Sequence, residues 1–186
     1  MADLKPGATL DPEAAAATIR AATAEVFSTM LGLEPTPGDY CLAREAPGPI
    51  DGVVALIGLA GQWAGTGMLT CSASLACTLS ACLLAGEPGV GKQAVDDEVL
   101  DSMAEITNMV LGNVKNQLEE CLGSMGLSIP TVIYGRNFTA RSLGEGDWVV
   151  VPFACGGDRL EVRLRLVNEQ KPHLIRHGFP PQAVRV

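Results

Sequence analysis

The longest regular pattern of apolar and polar positions in this chain runs from about Asp96 to Cys121. At about 3.6 residues per turn, its apolar side chains recur every three or four positions and form one stripe, which is typical of a helix packed on a core. The pattern therefore predicts a long amphipathic helix. The predicted core-facing residues are Leu100, Met103, Thr107, Val110, Leu111, Val114, Leu118 and Cys121.

A second helical pattern, rich in alanine, extends from Pro12 to Leu31. Asp11 can cap its first turn, and Gly32 can end it in a left-handed conformation. We predict a second long helix here. Its predicted core-facing residues are Ile19, Ala22, Val26, Thr29 and Met30.

Apolar runs between Gly- and Pro-rich turns predict the strands. Val53–Leu59 and Gly65–Cys71 read as a hairpin, and the helix that follows has Ser72 or Ser74 as its cap. The other predicted elements are this short helix over Leu75–Leu84 and strands over Tyr40–Ala43, Thr131–Tyr134, Trp148–Phe153 and Arg159–Val167.

The last of these strands alternates strictly between apolar and charged residues. One side carries leucines and Val162, and the other carries Glu161, Arg163 and Arg165. Successive side chains of a strand point to opposite faces of the sheet. The alternation therefore predicts a half-exposed strand.

The two tryptophans, Trp63 and Trp148, are expected to be packing residues.

The elements suggest one domain over residues 12–167, after a leader at 1–11 and before a tail at 168–186. A Gly-rich linker at 87–93 lacks the spacing of a phosphate-binding loop. The uncharged stretch from Gly52 to Gly86 is interrupted by glycines and polar residues. It therefore favours buried strands and a helix over a membrane span.

Composition narrows the range of partners. The chain has 186 residues, of which 47% are hydrophobic and 18% charged, as in a globular protein, and its net charge of −8 argues against nucleic acid or membrane partners. The six cysteines include no C-x-x-C pair, and both histidines lie in the tail. A zinc site is therefore not expected, and a reduced, cytoplasmic setting is favoured.

The polar face of the long helix carries Asp101, Glu105, Asn108 and Gly112. Residues three and four apart on a helix are neighbours, so Glu105 and Asn108 are expected to stand side by side. A solvated helix face is the ordinary interpretation of such a pattern. The alternative is a docking surface for another protein.

A faint internal repeat relates the two long helices. Residues 24–28 (AEVFS) align with residues 104–108 (AEITN), and a Leu-Gly pair follows each segment. Common helix residues can produce such a match by chance. A true repeat predicts an α+β domain with pseudo-two-fold symmetry, in which two long helices pack on a mostly antiparallel sheet.

The acidic residue Asp101, then Glu105 and Asn108, is followed by Pro130 at 22 positions beyond Asn108. This order and spacing resembles the motif of the CheC/CheX/FliY family of chemotaxis phosphatases, and the segment EITNMVLGNVKNQLE is most similar to the CheX branch. The resemblance extends more weakly from about Ile19 to Val167. Family members remove the phosphoryl group from the aspartate of CheY-like receiver domains.

The resemblance implies a role for each motif residue. Asn108 would orient the attacking water, because an amide donates and accepts hydrogen bonds without repelling the phosphoryl oxygens, and Glu105 would pair with the receiver's active-site lysine. Asp101 and Gly112 would contact the partner, and Pro130 would shape the neighbouring loop. Independently of the resemblance, Met109, Ile106 and Met125 are candidates for apolar contacts around the site, with core packing the expected role of at least one of them. No cofactor of the chain's own is implied, since the Mg²⁺ belongs to the receiver.

The family comparison also implies a possible homodimer through a sheet edge. It implies that the first helix has a degenerate site, because Ser28 stands where the motif has Asn, beside Glu25. Two alternatives to the phosphatase remain open. One is a non-catalytic adaptor that binds a receiver or a flagellar or signalling partner through the same helix face. The other is a structural module with no receiver partner.

Overall fold

A computed structural model, which describes residues 10–44, 50–85, 94–139 and 146–168, has three helices on one face of an antiparallel sheet. This arrangement confirms the predicted α+β class. The helices are α1 (Pro12–Val26), which continues as a π-helical turn (Phe27–Leu31), α2 (Ala73–Ala85) and α3 (Asp97–Leu122). The strands are β1 (Thr36–Pro37), β2 (Cys41–Ala43), β3 (Ile50–Gly61), β4 (Trp63–Cys71), β5 (Met125–Leu127), β6 (Thr131–Phe138), β7 (Trp148–Cys155) and β8 (Asp158–Asn168).

The sheet has the predicted internal symmetry. Each half contributes a long helix, two short or edge strands and a hairpin, and the two hairpins meet where β4 pairs with β8. The strands that precede each hairpin cross to the other half: β1 and β2 pair with β7, whereas β5 and β6 pair with β3. Helix α2 lies between the two halves in the chain. The α-β-β-hairpin unit is therefore used twice.

The main core lies between the helices and the sheet. Val53, Leu69 and Val162 point from the strands into this layer, and α3 contributes Met103 and Val110, all fully buried. Alternate strand residues form a second, smaller cluster on the other face of the sheet. Its buried members are Ile50, Val54, Met68, Trp148 and Val150. Trp63 belongs to the main core, so both tryptophans pack as predicted.

Helix α1 begins and ends at the predicted residues. The Asp11 carboxylate accepts a hydrogen bond from the Glu13 backbone N–H, and Gly32 ends the helix with φ of 64°. The prediction that Thr29 and Met30 face the core is wrong, because both are exposed. The π-helical turn holds more residues than an α-helical turn. It therefore rotates the end of the helix and buries Phe27 and Leu31 instead.

Helix α3 also follows its predicted pattern closely. The Asp96 carboxylate accepts a hydrogen bond from the Val99 backbone N–H at 3.0 Å and caps the helix. Cys121, predicted to face the core, is exposed, and Leu122 is buried in its place. Over 26 residues, the wheel position of the last turn drifts enough to move the buried stripe by one residue.

The prediction that β8 is half-exposed is wrong. This strand is central, between β4 and β7, and the side chains of Arg163 and Arg165 are buried on the face opposite the helices. Arg163 Nε donates to Glu161 Oε2 at 3.1 Å, and the Arg165 guanidinium lies 4.8 Å from the ring centre of Trp148. Glu161 thus balances the charge of Arg163, and the face of the Trp148 ring attracts the Arg165 guanidinium, which an alternation pattern does not reveal.

The remaining elements agree with the predicted ones to within a few residues. Ser72 Oγ, one of two proposed caps, accepts a hydrogen bond from the Leu75 backbone N–H at the start of α2. Strands β1 and β5 are short and were not predicted. The described helices include none that is long and apolar enough to cross a membrane. The predicted linker at 87–93, most of the leader and the tail after Asn168 lie outside the described residues.

Candidate functional site

A shallow groove of about 250 Å³ runs between the polar face of α3 and the loop that joins β5 to β6. Helix α3 forms one wall and the loop the other. The groove is lined by Asp101, Ala104, Glu105, Asn108, Ser128, Ile129 and Pro130. Four residues of the motif, 29 positions apart along the chain at their extremes, therefore meet at one place.

The polar wall of the groove follows from the amphipathic pattern of α3. Because Met103 and Val110 are anchored in the core, the residues on the other face of the helix, Asp101, Glu105 and Asn108, are turned outward and exposed. Cβ atoms three and four residues apart on a helix lie about 5–6 Å from each other. Glu105 and Asn108 thus present a carboxylate and an amide side by side to the groove.

These three side chains have no partner within the protein as described. Across residues 10–44, 50–85, 94–139 and 146–168, no side-chain hydrogen bond or ion pair involves Asp101, Glu105 or Asn108. Their hydrogen-bonding groups face solvent, so an incoming molecule would not have to displace an internal contact. Such a site is suited to binding a partner that brings its own charges.

The opposite wall is a β-bulge. Strand β5 ends with Leu127 opposite Leu59, and β6 begins with Thr131 opposite Leu56. Three residues, 128–130, therefore face only two on β3, and the extra residue makes the chain bow outward. Pro130 lies in this segment, where its lack of an N–H leaves no ladder hydrogen bond unmade.

Ser128 fixes the bulge to the sheet. Its backbone N–H donates to the Gly58 carbonyl oxygen at 2.9 Å, and its Oγ accepts from the Gly58 N–H at 2.9 Å. The same hydroxyl lies 2.9 Å from the carbonyl oxygen of Ile129, to which it donates. These hydrogen bonds attach the bulge to β3. Ile129, which lines the groove, is 87% exposed.

Two predicted partner contacts lie outside the groove. Gly112 is one turn beyond Asn108, and Met109 is half-buried against the main core. The structure brings neither residue into the lining, so their role toward a partner stays a prediction. Ile106 and Met125, the other apolar candidates near the site, are buried core residues.

Sequence reasoning missed three lining residues. Ala104 stands three positions from Asp101 and four from Asn108, so helical spacing alone could have identified it. Ser128 and Ile129 directly precede Pro130, but only the pairing of β5 and β6 with the same strand shows that they bulge toward α3.

The corresponding positions of α1 form a different arrangement. Glu25 Oε2 accepts a hydrogen bond from Asn113 Nδ2 of α3 at 3.4 Å, so its carboxylate links the two helices. Ser28 Oγ donates to the Glu25 backbone carbonyl of its own helix at 3.1 Å. The Glu25 carboxylate and the Ser28 hydroxyl are thus both engaged within the protein, and the degenerate first site stays a prediction.

The groove offers a carboxylate, an amide and a second carboxylate, but neither a cysteine or histidine nor a serine held beside a base. Among the residues described, no group of three or more His, Cys, Asp or Glu side chains could hold a metal ion. The arrangement suits orientation of water and recognition of a cation rather than covalent catalysis.

Solved structures share this fold. The chemotaxis protein CheX from Vibrio vulnificus is 29% identical, with a TM-score of 0.69 over 81% of this chain and 97% of that one. CheX from Desulfovibrio desulfuricans is 25% identical, with a TM-score of 0.71 over 83% and 99%. The CheX–CheY–BeF₃–Mg²⁺ complex from Borrelia burgdorferi, at 23% identity, shows the same fold with a TM-score of 0.66 over 85% and 99%.

No curated protein matches the sequence significantly. The family model described as "Chemotaxis phosphatase CheX" matches residues 53–154, which are more than half of the chain. The matched segment contains the whole groove, from Asp101 to Pro130, together with all of α3, β5 and β6 and most of β3. The chain therefore belongs to the CheX family of chemotaxis phosphatases.

Proposed function

We propose that this protein hydrolyses the phosphoaspartate of a CheY-like receiver domain, with Asn108 orienting the attacking water and Glu105 anchoring the receiver. The observation that carries the proposal is the exposed, unpartnered pair of Glu105 and Asn108 in the groove, within the segment that matches the family. The similar Borrelia burgdorferi protein in complex with CheY supports a receiver as the partner.

The chemistry requires little of the protein beyond position and charge. An acyl phosphate is already reactive, so the remaining step is in-line attack of water on phosphorus, with the aspartate carboxylate of the receiver as leaving group. The Asn108 amide can hold that water without adding negative charge beside the phosphoryl oxygens. Glu105, one turn away, can form a charge-assisted hydrogen bond with a lysine of the receiver. Mg²⁺ enters with the substrate.

The decay of phosphoryl groups on a phosphorylated CheY-like receiver from the same organism tests the proposal. Wild-type protein should accelerate the decay. Asn108→Ala should reduce kcat about 10²- to 10³-fold, as when one preorganised hydrogen-bond donor is removed, with binding nearly intact. Asn108→Asp should be at least as impaired, because its carboxylate repels the phosphoryl group.

Glu105→Ala should mainly weaken binding, by about 10- to 100-fold, because it removes a charge-assisted hydrogen bond. Asn116→Ala and Glu120→Ala are matched controls, since both side chains are exposed on α3 outside the groove. An unchanged phosphoryl lifetime with measurable receiver binding would instead support the adaptor. Absence of binding to any receiver would support the structural module.

The proposal includes a homodimer and a cytoplasmic location, both taken from the family resemblance. Among the described strands, β6 pairs only with β3, and it carries the exposed side chains Ile133 and Tyr134. A free strand edge of this kind can pair with a second copy. Light scattering over a range of protein concentrations would detect the dimer.

A further inference from the structure

Ile129 is the most exposed large apolar side chain on the described surface. It is 87% exposed, whereas Leu42, Leu84 and Met30 are about half exposed. An exposed aliphatic residue is by itself ordinary. This one lines the groove that contains Glu105 and Asn108, and a dedicated bulge holds it there.

The local structure rigidifies the position of Ile129 from both sides. Ser128 is bonded to both backbone groups of Gly58 in β3, and its hydroxyl also bonds the Ile129 carbonyl. On the other side, the Pro130 ring fixes its own φ and restricts the backbone of Ile129 to extended conformations. Because the backbone of this segment is already fixed, Ile129 loses little conformational entropy when a partner covers its side chain.

We propose that Ile129 is a docking residue, which the receiver domain covers with an apolar surface beside its phosphorylation site when Glu105 and Asn108 engage that site. This inference rests on the proposed function and adds a specificity determinant to it. The groove then has two parts with separate tasks. The α3 wall supplies the polar groups for the reaction, and the bulge supplies apolar affinity and selects among receivers.

The division of tasks has a physical basis. An ion pair at an open, solvated groove contributes little affinity, because water competes for both partners. Burial of one aliphatic side chain contributes more and is insensitive to salt. If a receiver has a charged residue where it would contact Ile129, docking removes water from that charge without providing a partner for it. Such a receiver would therefore bind more weakly.

The test compares binding and turnover for Ile129→Ala, Ile129→Leu and the control Leu42→Ala. The binding probe is a CheY-like receiver from the same organism, loaded with Mg²⁺ and BeF₃⁻, which stands in for the phosphoryl group. Ile129→Ala removes three carbon atoms and should raise Kd and KM about 10- to 50-fold with kcat unchanged. Ile129→Leu should retain most of the affinity. Leu42, 51% exposed on β2 at the other end of the sheet, should have no effect.

The outcomes separate this inference from the proposed function. If wild-type protein accelerates phosphoryl loss and Ile129→Ala binds the loaded receiver as tightly as wild type, the docking role is overturned and the phosphatase stands. If wild type binds without accelerating hydrolysis and Ile129→Ala binds more weakly, the docking role stands and the phosphatase fails. A drop in kcat with unchanged Kd would also overturn the docking role. Because Ile129 and Leu42 are exposed, all three variants should unfold at nearly the same urea concentration as wild type.

Discussion

At the scale of single residues, the site combines groups that are free with groups that are tightly held. Asp101, Glu105 and Asn108 are exposed on α3 without an internal partner among the described residues, whereas Ser128 makes three hydrogen bonds around the facing bulge. The exposed polar groups can therefore adjust to an incoming molecule, while the opposite wall of the groove stays in place. Gly112, one turn beyond Asn108, has no side chain and therefore leaves the helix backbone at that position accessible.

Gly112→Ala separates packing from docking. A Cβ at this position would contact only Leu127 Cδ1, at an ordinary distance of 3.8 Å, so the free protein can accept it. Because Ala has the higher helix propensity, the free energy of unfolding should rise by about 0.5–1 kcal/mol, as measured by urea denaturation. If Gly112 permits close approach of the receiver, KM should rise with kcat unchanged. Asn116→Ala should stabilise the helix without changing KM, and an unchanged KM in Gly112→Ala would remove Gly112 from the interface.

At the scale of elements, α3 and the strands after it are coupled at the helix end. Glu119 Oε1 accepts a hydrogen bond from the Met125 backbone N–H at 2.6 Å, and Glu119 Oε2 lies 2.9 Å from Lys115 Nζ. The hydrogen bond from Met125 connects α3 to β5, three residues before the bulge, and the ion pair with Lys115 holds the Glu119 side chain on the helix. The hydrogen bond from Met125, followed by that from Lys115, lowers the pKa of the Glu119 carboxyl below its usual range.

The lowered pKa gives this connection a defined pH dependence. The folded state favours the ionised carboxylate, so the stabilisation is complete above the ordinary glutamate pKa of about 4.3 and is lost as the pH falls through the lower folded value. Glu119→Gln should be less stable than wild type at pH 7, and the difference should shrink below about pH 4. Urea denaturation across this range measures it. Glu120→Gln, on the exposed side, should show no such difference.

At the scale of the whole molecule, four cysteines lie buried around α2 and the ends of β4 and β7. Burial raises the pKa of the Cys71 thiol to about 12, with smaller contributions from Asp158 and from neighbouring thiols, and burial also raises the pKa values of Cys82 and Cys155. Cys77 is buried as well. These residues serve as small apolar side chains, as expected from their positions in apolar runs.

Alkaline pH should therefore destabilise the fold. The folded-state pKa of Cys71 lies above that of the unfolded chain, so the stabilisation is complete below about pH 8.5 and is lost as the pH rises toward the folded value. Each such thiol can change the free energy of unfolding by up to about 1.4 kcal/mol per pH unit. Urea denaturation from pH 8 to pH 10 should show a smaller slope for Cys71→Ala than for wild type. The exposed Cys121→Ala should follow wild type, and an equal slope in all three would contradict the assignment.

The sequence by itself determined the elements and the polar face of the site. Amphipathic spacing placed Asp101, Glu105 and Asn108 together on one face of α3, and the predicted cap Asp11 marked the start of α1, because these signals depend on neighbours within a turn or two. The repeat also indicated the paired architecture, since each half specifies the same unit. Patterns of this range are local, and local patterns are what a sequence displays directly.

Tertiary structure alone decided which distant segments meet. The bulge at residues 128–130 exists because β5 and β6 both pair with β3, and the segment that joins them has one residue more than the part of β3 it faces. This register is set by pairing across the sheet. Arg163 and Arg165 are buried because β8 is a central strand of the sheet. Met30 is exposed because it lies on the π-helical turn. The wall that faces Asn108, including Ile129, follows from contacts between residues far apart in the chain, which no local period encodes.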